Sequence, residues 1–169
     1  LLNDKEGYAP VQPIAFSHKL HAGDNEIACQ YCHFGAEKSR TSGIPGTSVC
    51  LNCHNVIKRD SPEIQKIKKS FDEKEPIAWV RIHQLPDFVY FSHKRHVSGA
   101  KLECQTCHGP VEKMERLRQY NDLSMGWCVN CHRDTEVDVH KEYYKDFKGL
   151  KDGATAADVG GLDCAKCHY

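Results

Sequence analysis

The sequence predicts a mainly α chain with little regular structure, held together by something other than aliphatic packing. Three observations predict it. Leu, Ile, Val and Phe make up only about a fifth of the 169 residues, close to the range in which a chain buries too little apolar surface to fold. The chain also carries 10 Cys and 11 His, far more than a core of this size needs. Helix signals are present, but they are short and widely spaced.

Residues 1–13 contain Pro10 and Pro13 and read as an extended segment. Ser61-Pro62-Glu63 reads as a helix start: a capping hydroxyl, a proline in the first turn, an acid beside the positive helix end. Ile64, Ile67 and Phe71 continue that helix on one face, and Pro76 stops it. Trp79 to Phe91 is the most apolar stretch, broken by Pro86, and is expected to thread between two repeated units, 14–54 and 89–132. Pro110 to Tyr120 reads as a second helix, with Val111, Met114 and Leu117 on a core-facing stripe. Glu142 to Phe147 reads as a short third helix, and the Gly- and Ala-rich 149–161 as a loop.

Lys+Arg and Asp+Glu are both 23, so the chain lacks the basic balance of a general nucleic-acid binder. It has no apolar run long enough to cross a membrane.

All ten cysteines fall into five copies of one pattern. They are Cys29-x-x-Cys32-His33, Cys50-x-x-Cys53-His54, Cys104-x-x-Cys107-His108, Cys128-x-x-Cys131-His132 and Cys164-x-x-Cys167-His168. Cys-x-x-Cys-His is the attachment motif of c-type haem. Two thiols three positions apart can each form a thioether to one edge of a porphyrin. The next residue then lies under the ring, where its imidazole can bind iron as proximal ligand. Zinc ribbons and disulfides also use C-x-x-C pairs, but neither requires His directly after the second Cys. Five pairs also do not divide evenly among four-cysteine zinc sites. The expected cofactors are therefore five covalently bound haems c, and porphyrin supplies the missing apolar interior.

Six histidines remain: His18, His21, His83, His93, His96 and His140. A six-coordinate haem needs a distal ligand, and neutral imidazole is a good one. An internal repeat points to four of them. Phe16-Ser17-His18-Lys19-Leu20-His21 matches Phe91-Ser92-His93-Lys94-Arg95-His96, and each first His precedes a Cys-Gln-x-Cys-His motif by 11 positions. Each copy then reaches a second motif ending Asn-Cys-His. The organisation read from this is an extended segment 1–13, a first dihaem unit 14–54, a linker with a helix 55–88, a second dihaem unit 89–132, and a C-terminal segment 133–169 with the fifth haem. For the fifth haem His83 or His140 is the favoured distal ligand. Methionine is the rival ligand. Met114 reads as core, whereas Met125, in Leu123-Ser124-Met125-Gly126-Trp127-Cys128, is a candidate weighed against core packing.

The Phe-x-His-x-x-His segment followed by CxxCH resembles the class III cytochromes c and their smaller trihaem relatives. The resemblance implies two class III-like dihaem repeats plus a fifth C-terminal haem. It implies that His18 and His93 are distal to the haems on Cys29/Cys32 and Cys104/Cys107. His21 and His96 would then serve the haems on Cys50/Cys53 and Cys128/Cys131, within a unit or crosswise. The segment from Trp79 to Val97, with the Met125 block and the order of five motifs, also resembles the pentahaem cytochrome c subunit of bacterial alternative complex III.

That second resemblance implies an electron-transfer subunit, not an enzyme on its own, within a quinol-oxidising respiratory complex. Its partners would be iron–sulfur and membrane subunits, and its acceptor a monohaem cytochrome c or terminal oxidase. The alternatives are a free periplasmic multihaem carrier and, with less support, a multihaem reductase. A reductase needs an open iron position, and the supply of spare histidines argues against one. CxxCH motifs are loaded outside the bacterial cytoplasm, which places the chain on the periplasmic side of the inner membrane. Leu1-Leu2 without a Met implies that a signal peptide or N-terminal anchor preceded it.

Overall fold

The computed structural model describes residues 5–168. Six short helices carry most of the regular structure: α1 (Cys29–Cys32), α2 (Thr47–His54), α3 (Pro62–Glu73), α4 (Cys104–His108), α5 (Met125–Asp134) and α6 (Cys164–Cys167). Five of the six contain a CxxC pair. Two isolated bridges, Val89 with His168 and Glu136 with Thr155, stand in for sheet among the described residues. The expectation of a mainly α chain with little regular structure is met.

The longest helix, α3, starts as its sequence requires, with Ser61 at the cap and Pro62 in the first turn. It ends at Lys74, in the left-handed conformation, two residues before Pro76. Its face of Ile64 and Ile67 packs on Ile14 and Leu51, with Cys50, Ile77 and Trp79 against the cluster. This small core fastens the extended N-terminal segment and α2 to α3. Glu63 adds a polar tie, accepting from the Ala15 N–H at 2.9 Å and from Lys66 at 2.6 Å.

Two expected helices do not form. Over 110–120 only one 3₁₀ turn, Val111–Lys113, is helical. Gly109 is left-handed before it, and the following backbone is engaged by distant chain. The Lys19 N–H donates to the Met114 carbonyl (3.0 Å), the Gly7 N–H to the Gln119 carbonyl (2.8 Å), and the Gln119 N–H to the Tyr8 carbonyl (3.0 Å). The Met114 carbonyl and the Gln119 N–H are groups that a helix over these residues would have satisfied locally. Met114 is nonetheless core, at 4% exposure. Glu142 to Phe147 shortens to a 3₁₀ turn, Glu142–Tyr144. Trp79 to Phe91 carries no helix and is tied to the two ends of the chain. Val80 exchanges two 2.9 Å bonds with the Gln12 side chain, and the Tyr90 N–H donates to the Cys167 carbonyl at 2.7 Å.

Gln119 is the one fully buried polar side chain among the described residues. Its Oε1 accepts from the Gln84 N–H (3.2 Å), and its Nε2 donates to the carbonyls of Asn121 and Asp122 (3.0 and 3.1 Å). One amide thereby joins the segment 79–91 to the turn that leads into α5.

Candidate haem-ligating centre

The two copies of the Phe-x-His-x-x-His repeat fold alike. A π-helical turn, Lys19–Asp24 or Arg95–Gly99, follows the first His of each copy. The Ser17 carbonyl accepts from His21 Nδ1 at 2.8 Å, and the Ser92 carbonyl from His96 Nδ1 at 2.8 Å. Phe16 stacks on His21 with ring centroids 4.3 Å apart, and Phe91 on His96 at 4.6 Å. Edge-on, Phe16 meets His18 and Phe91 meets His93, both at 4.9 Å. The phenyl ring is the wedge that sets the two imidazoles of each copy.

Each wedge aims its imidazoles at motif histidines. His21 faces His54 and His96 faces His132, both at 6.1 Å between ring centroids. His93 faces His108 at 6.3 Å, with planes only 3° apart. Burial, then His33, His21 and His108, depress the His18 imidazole to about 4. His18 Nδ1 is buried without a hydrogen-bond partner. His21 and His96 thus lie opposite a motif histidine of their own unit rather than crosswise.

These spacings suit iron porphyrin. A metal–nitrogen bond of about 2 Å puts the centres of two trans imidazoles about 6 Å apart. In six of these rings, His21, His33, His54, His93, His96 and His132, Nδ1 is held by a carbonyl, which can only accept, so Nδ1 carries the hydrogen and Nε2 keeps a free lone pair. The acceptors are Gly43 for His33 (2.9 Å), Ile57 for His54 (2.9 Å), Arg40 for His93 (3.1 Å) and Gly161 for His132 (2.6 Å). Among the described residues no three His, Cys, Asp or Glu side chains converge as a closed metal site. Two protein ligands on opposite faces is the complement required when a macrocycle fills the equatorial positions. The ten cysteines stand in five adjacent pairs, none of them closed as a disulfide, as thioether attachment needs.

The five motifs follow one another in space in an order the sequence does not contain. Asn52 of the second donates to the Tyr31 hydroxyl of the first at 3.1 Å. The loop after the first motif holds the repeat beside the third, with the Arg40 carbonyl on His93. Burial raises the Cys104 thiol, and Cys29 raises it further. Asn121 donates to the Thr106 and Cys107 carbonyls of the third motif (3.1 and 3.0 Å) from the turn that starts the fourth. Burial lifts Cys107 to about 11, with Cys131 and Cys128 adding. The Gly161 carbonyl ties the fifth segment to His132 of the fourth. The order is second, first, third, fourth, fifth.

The remaining candidates lie apart. His168 has Phe88 as ring neighbour, at 5.6 Å, and the structure takes His83 and His140 elsewhere. His140 is at the surface, its Nε2 3.1 Å from the Asp152 carboxylate, because the 149–161 loop folds back on it. His83 lies against His108. Met125 is 69% exposed at the start of α5, whereas Trp127 of the same apolar block is half-buried. Sequence reasoning did not single out Gln119 or Asn121, since a lone polar side chain carries no periodic signal.

A family model for class III cytochrome c matches residues 2–87, and one for cytochrome c7 and related cytochrome c matches residues 89–169. The multiheme cytochrome c subunit of menaquinone reductase from Nitratidesulfovibrio vulgaris is 28% identical over 159 residues, spanning 93% of this chain and 67% of that protein. No helix among the described residues is long and apolar enough to cross a membrane. With paired imidazoles, thiol pairs and both halves matched, the chain belongs to the class III cytochrome c family, as a multihaem electron-transfer cytochrome that holds haem c covalently.

Proposed function

We propose that the chain transfers electrons by way of five covalently bound haems c, as a subunit of a quinol-oxidising respiratory complex on the periplasmic side of the bacterial inner membrane. Haem c supplies reversible one-electron iron chemistry when bound. The chain's residues attach, ligate and enclose it. The ten motif cysteines form the thioethers, and His33, His54, His108, His132 and His168 are the proximal ligands. His18, His21, His93 and His96 close the opposite faces at the first four motifs. The observation that carries this reading is the recurrence of facing imidazoles at 6.1, 6.1 and 6.3 Å on three separate motifs. Imidazole on both faces closes iron to substrate and favours electron transfer over a reductase.

The proposed partners are an iron–sulfur subunit, membrane subunits, and a monohaem cytochrome c or terminal oxidase, with attachment through an N-terminal anchor or those subunits. The likeness to alternative complex III supports the oxidising direction. The name of the N. vulgaris relative, a menaquinone reductase subunit, supports membership of a quinone-linked complex and favours the reverse direction as a second reading. The test is purification of the full complex in detergent, with haem counted by pyridine haemochrome and subunits by mass. Five haems per chain and reduction by added menaquinol support the first reading. Oxidation of the reduced complex by menaquinone, without the converse, supports the second. A chain that purifies free of partners with its haems loaded overturns both in favour of a free carrier.

A further inference from the structure

His108 differs from six of the other paired histidines in what holds its Nδ1, and from His18, whose Nδ1 has no hydrogen-bond partner. His21, His33, His54, His93, His96 and His132 each give that hydrogen to a backbone carbonyl. His108 Nδ1 instead lies 3.1 Å from Nε2 of His83, with the rings edge to face, 4.3 Å between centroids at 87°. The segment bearing His83 is fixed on both sides. Ile82 is buried, Arg81 Nε donates to the His83 carbonyl at 3.1 Å, and the Gln84 N–H is taken by the buried Gln119 amide at 3.2 Å. His108 is fixed in turn, because Asn121 holds the Cys107 carbonyl beside it.

We propose that His83 is a positioning residue for the third motif, accepting the Nδ1 hydrogen of His108 on its own Nε2 and thereby setting the ligand strength of that imidazole. The proposal rests on the reading of His108 as an iron ligand. One hydrogen lies between two ring nitrogens. If His83 donated it, His108 would carry its hydrogen on Nε2 and have no lone pair to face His93. With His108 as donor, Nε2 is free and the parallel pair with His93 can be used. An imidazole nitrogen is a more basic acceptor than an amide carbonyl. It draws the Nδ1 hydrogen further from His108, makes that ring a stronger electron donor, and favours the oxidised metal. The third motif, in the middle of the spatial order, would thus hold a lower potential than a carbonyl partner would give it.

The test compares the holoprotein with His83→Phe and His83→Gln, reading single-haem midpoint potentials by NMR-monitored titration and spin state by EPR. His83→Phe is expected to raise one midpoint, that of the haem on Cys104 and Cys107, with every other signal low-spin and unmoved. His83→Gln, which offers a carbonyl oxygen like the other sites, is expected to raise the same midpoint by less. If His83→Phe does not fold, that upward shift in His83→Gln alone carries the proposal. Unmoved midpoints in the folded variants overturn it, and so does a new high-spin ferric signal, which would make His83 an iron ligand. Peptide mass showing no haem on Cys104 and Cys107 of the wild type overturns the underlying reading together with it.

Discussion

The imidazoles of His93 and His108 lie parallel, 3° apart, with centroids 6.3 Å from one another. Neither residue's own element imposes this. His93 is held by the Arg40 carbonyl, which receives both its N–H and its Nδ1–H, and Arg40 belongs to the loop after the first motif. His108 closes α4 and is backed by His83. The pair is therefore built by three segments distant in sequence.

His93→Ala removes one face of this pair without touching the thioether cysteines. The expected outcome is a single high-spin ferric signal in the EPR spectrum of the oxidised protein, the other haems staying low-spin. A wholly low-spin spectrum would count against the pairing.

Met125→Leu is expected to leave every midpoint potential where it was, because the thioether points into solvent. A fall in one potential would mean that sulfur binds iron, since a Met ligand raises the potential.

Gln119→Leu keeps volume and removes three hydrogen bonds at once. The Gln84 N–H and the carbonyls of Asn121 and Asp122 lose their partner, each at a cost of about 1–3 kcal/mol if it stays buried. Thermal unfolding of the holoprotein should show a clear drop in Tm. An unchanged Tm would mean that water reaches all three groups.

Gly161→Ala tests the link between the fourth and fifth motifs. A Cβ there would stand 2.5 Å from the Ala156 carbonyl oxygen and 3.1 Å from His132 Nδ1. The backbone must shift, at a cost of about 1–3 kcal/mol, and the Gly161 carbonyl moves off His132. Lower stability together with a changed potential at one haem is expected. Either change alone would separate the fold from the ligand's hydrogen bond.

Glu63 gives a pH dependence of known sign. The Lys66 ammonium and then the Ala15 N–H hold its carboxyl below the ordinary 4.5. A carboxyl lowered in the folded state contributes stability that is complete above 4.5 and is lost as pH falls through the folded value. The Tm difference between wild type and Glu63→Gln should therefore be present at neutral pH and shrink below about 4.5. A difference that does not vary with pH would exclude the carboxylate as its cause.

The sequence alone determined what depends on neighbours in the chain. The CxxCH spacing, the Phe-x-His-x-x-His repeat, the α3 start at Pro62 and the buried face of Ile64 and Ile67 are local patterns, and local geometry follows from them. Met114 could be read as core for the same reason, although its helix could not. The Met114 and Gln119 carbonyls are claimed by Lys19 and Gly7, contacts that no window around residue 115 contains. Tertiary structure decided which imidazole faces which: His21 toward His54 and His96 toward His132 within each unit, His83 behind His108, and His140 out at Asp152. It also decided the order of the five motifs in space. Both depend on how long loops close across the molecule, and a loop's closing path is set by the groups it meets at its far end rather than by the residues within it.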